Sequence, residues 1–222
     1  MTRFTATALD GLDAPVRRYF RHAIAEGALL HRGVRLTMRG QVKVGAWLPF
    51  TAEETCDGIS FEWRARVGRL LTVVDRYADG AACTRGLLFG RRTLFSSDDA
   101  NTIRSAAGRA ALESIWAPMS LLPERGVAWC AEADDLVVAA REVPPERPEI
   151  RIRIDEHGAV RSVSAQRWNA GEYLSCGCEV QAERRWGDLT VPSRMTVGWR
   201  FGTPGYTPFF RCELQSLTAV DR

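Results

Sequence analysis

From Val34 to Leu217 the chain alternates apolar and polar residues in short runs, the period-two pattern of strands with one buried and one wetted face. One run shows it most plainly. Phe61, Trp63, Ala65 and Val67 share one face, and Glu62, Arg64 and Arg66 share the other. Runs at Val34 to Val44, Leu48 to Cys56, Ile59 to Val67, Leu71 to Tyr77 and Ala82 to Phe89 predict a meander of hairpins, punctuated by Asp57-Gly58, Gly68 and Asp79-Gly80. A second series follows at Val127 to Ala131, Leu136 to Arg141, Glu149 to Ile154, Val160 to Trp168, Leu174 to Trp186, Leu189 to Phe201 and Phe209 to Leu217. His157-Gly158 and Gly187-Asp188 mark tight turns within it.

Two segments break the period. The first opens at Asp13, an N-cap type, with Pro15 in the first turn and Gly27 past the end. Its Val16, Tyr19, Phe20, Ala23 and Ile24 form one apolar face. The second runs from about Asp98 to Trp116, capped by Ser97 or Asp98 with acidic residues in its first turn, and is stopped by Pro118. The apolar cluster that follows, through Met119, Leu121 and Leu122, is too greasy for an exposed loop and is expected to plug or line a concave face. The reading is a mainly β (α+β) chain: one large antiparallel sheet covered by an N-terminal helix and a central helix. Residues 1–222 read as one domain, because strands of the same character resume directly after the proline-rich connection Glu142 to Pro148.

Composition narrows the function classes. Hydrophobic residues make up 45% and charged residues 26%, the balance of an ordinary folded protein. Seven Trp and nine Phe exceed what a thin sandwich needs, so a wide apolar interior is expected. The net charge of +3 is dispersed, without the basic stripe that nucleic-acid binding requires. No apolar run is long enough to cross a bilayer, and the N-terminus has no secretory h-region, which predicts a cytoplasmic protein with no integral membrane association. The six cysteines are accordingly expected as free thiols. Cys176-x-Cys178 lacks the Cys-x-x-Cys spacing of zinc sites, and no metal is assigned. There is no phosphate-binding or dinucleotide glycine motif, no Ser-His-Asp or Cys-His grouping and no nucleophile elbow. No cofactor and no catalytic residue are therefore assigned.

Several segments together resemble an uncharacterised bacterial family of unknown function whose fold is similar to the lipoprotein carriers LolA and LolB. They are the stretch from Pro15 to Ala23, Val34-Arg35-Leu36 with Gly40, Trp47 to Glu54, Phe61 to Arg66, Asp75-Arg76-Tyr77, Glu113 to Pro118 and Leu121-Leu122-Pro123, continuing through Gly126 to Trp129, Arg167-Trp168, Val191-Pro192-Ser193 and Trp199. The resemblance covers most of the chain. It implies a single curved antiparallel sheet forming an unclosed barrel, a LolA-like half-barrel whose helices close its mouth over an apolar cavity; the carriers hold acyl chains there. One stretch departs from the family. Residues Ser105 to Ala111 are small where the family tends to carry a bulkier, Leu- and Tyr-rich helix, which would deepen the pocket or let the helix sit closer.

Within that frame Glu113 and Trp116, three apart on one helix, face the same side. A carboxyl beside an indole in a dry cavity is a possible acid, base or head-group anchor. The structural alternative pairs Glu113 with Arg109 one turn earlier, or with Arg64 or Arg66 across the sheet. Asp75 and Tyr77 share a strand face, where Asp75 reads as half of a buried ion pair. The expected ligand-binding set is Trp47, Phe61, Trp63, Arg64, Arg66, Tyr77, Glu113, Trp116, Met119 and Trp199. The leading expectation is a binding protein for a lipophilic small molecule or acyl chain, with no nucleic-acid partner. The rivals are an enzyme acting on a hydrophobic substrate with Glu113 as acid or base, and a protein-interaction module.

Overall fold

The computed structural model describes residues 2–221. Strands β1 (Gly33–Val44), β2 (Ala46–Cys56), β3 (Phe61–Val67), β4 (Leu71–Ala78), β5 (Ala81–Leu88) and β6 (Arg92–Ser97) form one antiparallel meander. Strands β7 (Ala128–Ala133), β8 (Leu136–Ala140), β9 (Glu149–Ile154), β10 (Val160–Asn169), β11 (Glu172–Trp186), β12 (Leu189–Trp199) and β13 (Thr207–Val220) form a second. Pairing of β1 with β13 joins them into one 13-stranded sheet whose edges are β6 and β7. It is not closed into a barrel.

The topology dictates where the central helix lies. Helix α2 (Ala100–Glu113) and three short 3-10 segments connect β6 to β7, from one edge of the sheet to the other, so the connection crosses the concave face. Helix α2 packs against β4 and β5 on one side and β10 on the other. In a flat sheet β4 and β10, seven strands apart in the order, would be separated by roughly 34 Å at about 4.8 Å per strand. One helix touches both only because the sheet is strongly curved.

Strand β3 alternates buried and exposed at every position, as its sequence predicts. Strand β6 is absent from the sequence reading, and the reason is physical: five of its six residues are exposed, so it carries no buried period. The cap of α2 is Asp99, whose carboxylate accepts from the Thr102 amide at 2.8 Å, and not Ser97 or Asp98. The helix ends at Glu113, after which Ser114–Trp116 tightens into a 3-10 turn ahead of Pro118. At the other end of the molecule, α1 (Ala14–Ala23) buries Val16, Tyr19, Phe20 and Ala23 against β7, β8 and β12, with Tyr19 and Phe20 packed on Trp129. Its cap residue Asp13 accepts from the Ala131 amide of β7 at 2.8 Å, tying the helix to the sheet edge. At Gly58, with φ of 81°, a side chain would meet Ser120 Oγ at 2.5 Å, so only glycine lets the β2–β3 turn lie under the segment after α2.

Candidate functional site

Between α2 and the concave face lies a cavity of about 270 Å³. Its two walls differ in chemistry. The wall from β10 to β13 is mainly apolar, built from Val163, Cys176, Cys178, Met195, Val197 and a phenylalanine pair, Phe209 and Phe210, with the charged Arg167 of β10 beside them. Consecutive strand residues normally point to opposite faces. Here the β12–β13 register slips between Val197, opposite Phe210, and Gly198, opposite Pro208, so Phe209 is an extra residue and both rings reach the cavity. Cys178 is a packed thiol, pushed by burial up to about 12.

The facing wall is a polar lattice. Glu54, Trp63, Asp75 and Thr84 stand directly opposite one another across β2, β3, β4 and β5, all on the inner face. Helix α2 inserts Arg109 into this row. Its guanidinium bonds Glu113 Oε1 through Nε at 2.6 Å, bonds Asp75 through Nη1 at 2.7 Å, and approaches Glu54 at 3.7 Å. It lies over Phe61, 4.3 Å from the ring centre, and 5.2 Å from that of Trp63. Thr84 completes the row by donating to Asp75 Oδ1 at 2.7 Å. Burial opposes the charge on Arg109, but the carboxylates of Glu113, Asp75 and Glu54 outweigh it and hold the guanidinium above its ordinary range.

Three carboxyl groups thus surround one cation. Glu54 has no exposed side-chain surface, and neither of its oxygens meets a donor group. Burial first, then the charge of Glu113, pushes its carboxyl well above the ordinary range against the pull of Arg109. The Trp63 Nε1, also buried, has no acceptor among the described residues.

The expected site residues separate cleanly in space. Trp63, Glu113 and Trp116 line the cavity, Trp116 anchored by its Nε1 on the Pro192 carbonyl at 3.2 Å. Trp199 stacks on Phe209 with ring centres 5.5 Å apart, just behind the lining. Phe61 lies under Arg109, and Tyr77 is buried in the sheet with its hydroxyl on the Pro144 carbonyl. Arg64 and Arg66 do not reach Glu113: both are exposed on the outer face, because strand parity sends them opposite to Trp63. The partner of Glu113 is Arg109. Trp47 falls on the outer face by the same parity and carries the Arg211 guanidinium 4.3 Å from its ring centre. Met119 is buried away from the cavity, toward Leu217 and Trp186. Arg109 and Glu54 are the additions. A carboxyl on the apolar parity of β2, in line with Phe50, Ala52 and Cys56, is the signal that marks Glu54.

Among the described residues no set of three His, Cys, Asp or Glu is arranged to hold a metal, and no helix is long and apolar enough to cross a membrane. Residues 2–212 match a family of unknown function, DUF6544. The chain belongs to this family. Two solved structures share its architecture. One is described as a LolA superfamily protein from Nitrosomonas europaea, with a TM-score of 0.52 and 7% identity, covering 99% of this chain and 95% of that one. The other is described as an outer membrane lipoprotein-sorting protein domain from Vibrio parahaemolyticus, with a TM-score of 0.50 and 10% identity, covering 96% and 93%. At these identities the likeness is one of fold, and the fold of this DUF6544 member is LolA-like. Among curated proteins none matches.

Proposed function

We propose that this DUF6544 member is a binding protein that holds a lipophilic small molecule or acyl chain between its curved sheet and α2. The observation that carries the reading is the cavity of about 270 Å³, lined on the β10–β13 side mainly by apolar side chains and bordered on the opposite side by Leu112, Ile115 and Trp116. An apolar space of about 150 Å³ takes benzene, so one of about 270 Å³ has room for a chain of about a dozen carbons. Each buried methylene contributes about 0.8 kcal/mol, so lengthening a ligand by two carbons tightens binding about 15-fold until the space is full. The LolA-like fold is consistent with such a role.

The enzymatic alternative draws less support, because Glu113 is ion-paired with Arg109. We read the chain as one domain, since every strand belongs to one sheet. We place it in the cytoplasm, since all six cysteines are free and five are buried. Native mass spectrometry of the freshly purified protein, followed by organic extraction, tests the reading. A co-purifying lipophile that is lost from a folded Trp116→Ala variant supports it; a protein that purifies empty and binds no alkyl ligand of any length refutes it.

A further inference from the structure

The polar wall leaves two kinds of hydrogen-bonding capacity unfilled beside the cavity. Trp63, only 6% exposed, lines it with an N–H that has no acceptor among the described residues. Glu113 lines it too, and its Oε2 meets no donor group among them. An ionised carboxylate oxygen only accepts, so this capacity is open to a ligand group that donates. A buried donor and a buried acceptor without partners each carry a desolvation cost that a ligand bridging both would relieve.

We propose that the corner formed by Trp63, Glu113 and Asp75 is a head-group subsite for an uncharged group that both donates and accepts, a hydroxyl or primary amide on an alkyl chain. The inference rests on the carrier reading above and names the ligand class for it. A hydroxyl accepts from Trp63 Nε1 and donates to Glu113 Oε2, while the tail lies along the wall formed by Met195, Val197, Phe209 and Phe210. A carboxylate or phosphate head is disfavoured here, because it would enter beside the like charges of Asp75 and Glu113, with which the Arg109 guanidinium is already paired.

The rival seat for an anion is Arg167, which also lines the cavity. It is held by Nε donating to the Ser105 carbonyl at 2.8 Å and lies 5.2 Å from the Trp199 ring centre, with no carboxylate paired to it among the described residues. The competition between the two seats makes the test sharp. Displacement of the neutral dye Nile red from the full chain is followed with 1-dodecanol, dodecanamide, dodecanoate and dodecylamine.

The expected result is that dodecanol and dodecanamide bind at least tenfold more tightly than dodecanoate. Trp63→Phe should cost dodecanol about fivefold, one net hydrogen bond, and leave dodecanoate unchanged. Glu113→Gln, which turns the acceptor into a donor, should narrow the preference over dodecanoate. Dodecanoate binding most tightly and losing affinity in Arg167→Gln would overturn the subsite and leave the carrier reading intact. Dodecylamine binding most tightly, with no proton released, would overturn it in favour of a cation site. No displacement by any of the four would overturn both.

Discussion

The two walls of the cavity come from the two meanders and are held together in opposite ways. On the β10–β13 side, order comes from apolar contact and one inserted residue, Phe209, which brings two adjacent rings to the same face. On the β2–β5 side, order comes from a single guanidinium that ties α2 to acids on two strands and one on its own helix. Arg167 apart, the first wall is shape without direction and suits apolar groups. The second has direction, since every bond in it has a donor and an acceptor with fixed positions, and it also fixes the lid. Closing the cavity and giving it polarity are therefore one task, performed by Arg109.

The largest effect should follow from removing that residue. Arg109→Met leaves buried acids without their cation and should cost about 3–5 kcal/mol in denaturant unfolding. Combining it with Asp75→Asn and Glu113→Gln should recover much of the loss; no recovery would mean that Arg109 stabilises through Phe61 and Trp63 and not through charge. Next comes the apolar wall. Met195→Ala should cost about 2–3 kcal/mol, because Met195 is buried yet borders space already empty, and it should shift the preferred alkyl chain to a longer one in the dye-displacement series. A cost without a length shift would detach that wall from ligand binding.

The third prediction concerns Glu54 and pH. Its folded pKa lies above the ordinary 4.5, so the folded chain keeps a proton that the unfolded chain gives up. Its contribution to stability is complete below pH 4.5 and is lost as pH rises toward the folded value. Unfolding measured across that interval should decline more steeply for the native chain than for Glu54→Gln; parallel curves would mean that the Glu54 carboxyl is not raised. The smallest effect lies outside both walls. His22 bonds Glu183 at 2.8 Å, which raises its pKa above 6.5 against the opposing effect of burial. Its contribution is complete below 6.5 and fades as pH climbs through the raised value, while Glu54→Gln leaves it unchanged. A nuclear magnetic resonance titration of the imidazole checks it.

The apolar wall was the more legible of the two from residue order. Strands announce themselves by period two, and every predicted run lies at or within a few residues of an observed strand. The half-barrel itself came through the family likeness, since period two reports faces and not curvature. What escaped follows one rule: features set by pairing between distant strands leave no local trace. The outward placement of Arg64 and Arg66 was readable from their own alternation with Trp63 and Ala65. The partnership of Glu54, Asp75 and Arg109 was not, because it depends on the register of three strands and the angle of a helix. Nor was the doubled Phe209 and Phe210 wall, since a bulge is a property of two strands at once.

The junction of β1 with β13 carries a consequence for synthesis. The first and last strands of the sheet in chain order are neighbours at its middle, so the seam forms only once all thirteen have left the ribosome. Until then both meanders carry raw inner margins, and the lid has only half its seat. Pairings so far apart in the chain are slow to find, and premature stop codons in the final strand should yield aggregating halves and not a smaller working vessel.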